Sequence, residues 1–161
     1  MKALNGRNLM MALLVWIMGI SFPSYADEAA PYQKVVSGIT IYLGVVPAEV
    51  VQGYPKQHPE GEMHGGVPTG RDRYHVTVAL FDHATGQRIT NADVSATVRE
   101  IGLGGATKKL GAMAINGTIT YGNYFEMPSS GTYRIQIEIR RPGVASAIRT
   151  EFDYTLEPSE P

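Results

Sequence analysis

The chain has no cysteine. That absence excludes disulfides, thiolate metal ligands, cysteine nucleophiles and a lipid-modified cysteine anchor. Tryptophan is nearly absent, and the single Trp16 lies in an N-terminal segment read below as removable. Runs of basic residues are missing too, which argues against nucleic acid as a partner, since phosphate backbones demand clustered Lys and Arg. Hydrolytic signatures are lacking: there is no Gly-x-Ser-x-Gly elbow and no His-Glu-x-x-His helix. The glycines of Gly102-Leu-Gly-Gly105 lack the strand-to-helix setting of a phosphate-binding loop. With no nucleophile and base at a meaningful spacing, the chain reads as a non-enzyme.

What is present begins with an export signal. Lys2 and Arg7 form a positive start, residues 9–22 are almost wholly apolar, and Ser24-Tyr25-Ala26 places small residues where a signal peptidase reads. Cleavage after Ala26 assigns residues 1–26 to a signal peptide. The apolar run falls short of the roughly 20 residues of a membrane span, so none is expected after cleavage. An exported chain without bridges points to the bacterial periplasm. Loss of Lys2 and Arg7 leaves 12 basic against 15 acidic residues, a mildly acidic protein.

Residues 27–34 read as a flexible leader, 35–156 as one domain and 157–161 as a disordered tail. Within the domain the dominant pattern has a period of two. Tyr133, Ile135, Ile137 and Ile139 alternate with Arg134, Gln136, Glu138 and Arg140, as a half-buried antiparallel strand requires. Similar alternation marks strands over 35–46, 74–81, 93–101, 118–127 and 148–156. Leu110 to Ile115 reads as a short strand or a bridging segment. Gly44 suggests a bulge, residues 47–51 either an extended piece or one helical turn, and 102–109 a flexible connector. Asp82 with Gly86 supplies one turn and Asn116-Gly117 another. The corner Ser129-Ser-Gly-Thr-Tyr133 matches the one at which a Tyr hydroxyl bonds back to the backbone in sandwich domains. The pattern predicts an all-β fold, an immunoglobulin-like antiparallel β-sandwich of seven or eight strands.

Residues 53–72 break this regularity with five Gly and three Pro, and a loop of that kind is usually functional or disordered. It carries Met63-His64 between glycines. Thioether and imidazole are the donors left to a copper protein that has no thiolates. His75 follows at the head of a strand, and Met113 and Met127 flank the Asn116-Gly117 hairpin. The candidate metal ligands are therefore Met63, His64, His75, Met113 and Met127. Met113 and Met127 read equally well as core filler, and Glu60 and Glu62 would suit a harder ion. A second idea comes from Tyr121, Tyr124 and Phe125, which crowd one hairpin and could form a protein-contact patch, or else pack inward.

Three segments carry a family resemblance: Ala92-Asp-Val-Ser-Ala-Thr-Val98, Tyr121-Gly-Asn-Tyr-Phe-Glu-Met127 and Gly131-Thr-Tyr-Arg-Ile-Gln-Ile-Glu-Ile139. They resemble the small periplasmic immunoglobulin-like domains called YtkA-like. They are also similar to the periplasmic metal-binding component of bacterial iron-uptake systems. The resemblance implies copper, or less readily iron, held by Met and His on the sandwich face and nearby loops. Met113 and Met127 match the late methionines of that pattern and His75 its strand histidine, whereas Met63 and His64 fall in a comparable early loop. It implies a carrier or accessory protein of a metal transport system, with a membrane transporter or another periplasmic protein as partner. The alternative is an interaction module without metal, an accessory or chaperone-like subunit presenting the aromatic hairpin or a sheet edge.

Overall fold

Eight antiparallel strands, in a computed structural model that describes residues 31–53, 66–115 and 117–158, form a single hydrogen-bonded series folded over on itself. In chain order they are β1 Gln33–Val36, β2 Ile39–Pro47, β3 Arg73–Asp82, β4 Asp93–Glu100, β5 Gly105–Ile115, β6 Thr118–Glu126, β7 Gly131–Arg140 and β8 Ile148–Leu156. One short helix, α1, spans Ala48–Gln52. The spatial order is β1-β2-β3-β6-β5-β4-β7-β8. The fold is an all-β antiparallel sandwich that nearly closes into a barrel.

Strand β5 makes this one series into two layers. Its first half pairs with β4, from Gly105 opposite Arg99 to Leu110 opposite Val94. Its second half pairs with β6, from Gly111 opposite Gly122 to Ile115 opposite Thr118. The chain therefore leaves one layer and enters the other between Leu110 and Gly111. The space between the layers is filled by the alternating apolar set: Ile41, Val78 and Phe125 from one side, Val98, Ile137 and Phe152 from the other. Each such buried side chain is stabilised by roughly 1.5–3 kcal/mol relative to exposure. The charged partners of β7 face water, where Arg134 meets Asp153 of β8 at 2.9 Å and Glu138 meets Arg140 and Arg149, each at 2.8 Å.

Several local expectations are met and others are corrected. Tyr133 Oη donates to the Ser129 carbonyl at 3.0 Å and accepts from the Ser129 N–H at 3.1 Å, so the corner is closed as its sequence predicts. Asp82 Oδ1 accepts from both the N–H and the hydroxyl of Thr85, and Gly86 has φ +68°. The strand expected over 35–46 is in fact the hairpin β1–β2, because Ser37 (φ +50°) and Gly38 (φ +75°) both adopt the left-handed conformation that two-residue hairpin turns use. Pairing thus starts at Gln33, inside the segment expected to be a leader. Residues 47–51 resolve toward the helical turn, α1. The connector expected over 102–109 is strand from Gly105 onward, held by β4; a side chain at Gly105 would lie 2.7 Å from the Val98 carbonyl. Gly44 marks no bulge, since its pairing with Thr77 is in register. Its missing side chain makes room for Thr77 Oγ1, which would sit 2.5 Å from a Cβ there. The signal peptide and the end of the tail lie outside the described residues.

The two ends of the series, β1 and β8, approach without a backbone ladder. Lys34 Nζ donates to the Glu151 carbonyl at 2.6 Å and stands 5.2 Å from the Phe152 ring centre. The Tyr32 and Tyr154 rings meet at 5.8 Å.

Three expectations about stability arise here. Tyr133→Phe removes a hydroxyl bonded twice to one corner and should cost about 1–2 kcal/mol in urea unfolding followed by circular dichroism; an unaltered midpoint would show the corner to be dispensable. Lys34→Ala should speed amide exchange in Gln33–Val36 without slowing or speeding the amides of β3 and β6. The third concerns acid. Hydrogen bonds from Arg140 and Arg149 hold Glu138 below its ordinary pKa, one from Arg134 does the same for Asp153, and one from Lys109 for Asp93. Depressed folded values mean that this stabilisation is complete above the ordinary carboxylate range near 4 and is lost as pH falls through it. Unfolding midpoints should therefore drop below about pH 4, and added salt should shrink the drop because these carboxylates are exposed.

Candidate metal site

The outer face of the β2-β3-β6-β5 layer carries an unusual cross-strand row. Gly44 lies opposite Thr77, Thr77 opposite Gly122, and Gly122 opposite Gly111. Three glycines among four neighbouring positions leave a trench where side chains would normally stand. His75 and Tyr124, paired across β3 and β6, form the row on one side, and Met113, opposite Thr120, belongs to the row on the other.

Side chains from both flanks lean into the trench over Gly122. A Cβ on Gly122 would lie 2.7 Å from His75 Nε2 and also 2.7 Å from the Met113 terminal methyl carbon. An imidazole nitrogen and a thioether arm thus together fill the space that a side chain at residue 122 would take. Tyr124 orients the imidazole: the two rings stack with centroids 4.5 Å apart and planes 23° from parallel. Lys108 Nζ in turn donates to the Tyr124 carbonyl at 2.6 Å and pins that stretch of β6. His75 is wholly buried, Met113 1% exposed and Tyr124 5% exposed. None of the three belongs to the interlayer core by strand parity, so the outer face has a second buried cluster of its own. Helix α1 packs beside it, with Ala48 and Val51 buried against β2 and β3.

The five sequence-derived candidates divide as follows. His75 and Met113 come together. Met127 does not join them: it sits on the opposite face, within the interlayer core beside Phe125 and Tyr133, because it shares strand parity with Tyr121 and Phe125. It also floors a separate cleft of about 650 Å³ with Tyr74, Ser129 and Leu156, where burial, then the nearby Tyr154 and Asp72, push the Tyr74 phenol above its ordinary pKa. Met63 and His64 lie outside the described residues. The expected aromatic contact patch is not on the surface either. Tyr121 and Phe125 fill the core, with Tyr121 Oη accepting from the Ala92 N–H at 3.0 Å, and Tyr124 is covered.

Sequence reasoning overlooked Gly122 and did not connect Tyr124 with His75. The signal was there: a glycine inside an otherwise apolar strand, in Tyr121-Gly-Asn-Tyr124, is a recognised mark of close approach. Among the described residues no three carboxylate, imidazole or thiolate groups gather. Imidazole and thioether are donor types that suit softer ions, whereas hard cations take oxygen ligands. Also among the described residues, no helix is long and apolar enough to cross a membrane.

With the fold and this site in view, known proteins provide a comparison. No family model and no curated protein matches the chain. Solved structures do match in fold. A DUF4426-family protein from Pseudomonas aeruginosa is 13% identical, with a TM-score of 0.56, covering 80% of this chain and 98% of its own. The copper-reconstituted P19 protein of Campylobacter jejuni is 12% identical at a TM-score of 0.57, covering 76% and 91%. A copper-bound variant of FetP from uropathogenic Escherichia coli is 11% identical at 0.57, covering 76% and 92%. At such identities the likeness shows a shared fold. That fold is one on which copper-bound proteins are built, and it does not single out the YtkA-like domains.

Proposed function

We propose that this is an exported copper-binding protein, a carrier or accessory subunit of a metal transport system rather than an enzyme, working in the periplasm beside a membrane transporter or another periplasmic protein. The carrying observation is that His75 Nε2 and the end of the Met113 side chain come together over Gly122, in the space a side chain there would fill. The copper-bound state of the FetP and P19 structures that share the fold supports the choice of ion. His75 supplies an imidazole nitrogen, Met113 a thioether, and Tyr124 holds the imidazole plane. Met63 and His64 remain candidates for further donors. Iron is the second choice, since it accepts imidazole but matches a thioether less well than copper does.

Anaerobic titration with Cu(I) against a chromophoric competitor provides the test. The mature protein should withdraw one equivalent of copper. His75→Ala should weaken that withdrawal by at least roughly tenfold, as losses of this kind do at metal sites. Met127→Leu should leave it unchanged, since Met127 belongs to the core. Equal competition by the parent and the His75 variant would sink the assignment.

A further inference from the structure

The cleft of about 650 Å³ over Met127 opens at one mouth of the near-barrel, where β2 and β8 end, β3 begins and the β6–β7 corner turns. Recesses of this size are the usual seats of small ligands, and barrel mouths are a common place for them. The floor is apolar: Met127 is almost wholly buried, and Leu156, Pro47 and Pro128 stand around it. Tyr74 adds an aromatic ring. The walls are tied on two sides. The Met127 N–H donates to the Asp72 carbonyl at 2.9 Å, which joins the entry of β3 to the corner. The two bonds of Tyr133 Oη hold Ser129 in place beside it. A cleft held in this way is spared much of the ordering cost of binding.

The rim selects the sign of the ligand. Glu49, Asp72 and Glu157 line it against one cation, Arg71. Among the described residues the ion pairs lie elsewhere, at Arg73–Glu126 and on β4, β5, β7 and β8. The Tyr74 phenol registers the local field: after burial and the neighbouring Tyr154, Asp72 and Glu49 add to the rise in its pKa. The ring therefore stays neutral while the carboxylates carry the charge. A bare metal ion would leave the apolar floor uncovered, and an anion would meet repulsion at the rim. A cation on a hydrocarbon stem uses every part of the cleft. Its stem covers Met127 and Leu156, and its charged head reaches the carboxylates and the ring.

We propose that this mouth binds a primary ammonium group on an apolar stem, carried by a free alkyl diamine or by a lysine side chain. The site is separate from His75 and Met113 and does not depend on copper.

The experiment titrates the mature protein at neutral pH and low salt, followed by calorimetry and amide chemical shifts. The probes are diaminopentane and the blocked tripeptide acetyl-Gly-Lys-Gly-amide, with pentanol as a stem that lacks charge. At least one amine should saturate the protein and shift the amides of Asp72, Tyr74 and Ser130, and pentanol should not. Tighter binding of the diamine assigns the site to free amines, and tighter binding of the tripeptide assigns it to a lysine side chain. Glu49→Gln combined with Asp72→Asn, both exposed and close in shape, should weaken amine binding at least roughly fivefold with an unchanged melting temperature. Added salt should weaken it in the parent protein as well, a check that needs no variant. Saturation by neither amine, equal binding of pentanol, or shifts confined to other parts of the molecule would overturn the proposal. Undiminished amine binding by the folded double variant, or in high salt, would overturn it too.

Discussion

The divided pairing of β5 is the constraint on which the molecule depends. One strand gives its first six residues to β4 and its last five to β6, and every layer, corner and buried face follows from that division. Both halves keep their backbone groups bonded, as buried backbone requires. The turning point falls at Gly111, and directly across from it stands Gly122. The place where the sheet changes layers is thus also the place where the outer face is stripped of side chains. The candidate metal site is a by-product of how the sandwich closes.

That coupling explains why both surfaces of β3 and β6 are buried. Their inward residues, Val76, Val78, Tyr121 and Phe125, make the interlayer core, and their outward residues His75 and Tyr124 are covered as well. A polar imidazole in such a position is held by its neighbours. Its stacking on Tyr124, the Lys108 tie to that residue's backbone and the reach of Met113 together fix it in one orientation.

Much of this was legible in the sequence. The strict alternation of Tyr133 to Ile139 gave strand, face and core together, and Tyr133 announced its own corner. Gly117, between β5 and β6, and Asp82 to Gly86 marked turns whose chemistry is local. What could not be read was decided by distant parts of the chain. Gly102 to Lys109 looks like a linker until β4 supplies a ladder for it, and the Ser37-Gly38 turn hides within an apolar stretch. The candidate donors followed the same rule. His75 and Met113 are 38 positions apart and meet only because β6 lies between their strands. Met127 had the right chemistry and the wrong parity, and one residue of register separates the two faces of a strand. Gly122 escaped notice because a site shaped by missing atoms leaves no functional group to find.

The closure at Lys34 has a different consequence. Where β1 meets β8, one ammonium and a pair of tyrosine rings take the place of a hydrogen-bonded ladder. The wall can part there without breaking any strand pairing, since β1 stays laddered to β2 and β2 to β3. Such breathing would expose the unpaired rim of β8 only for moments, with the lysine restoring the cover each time.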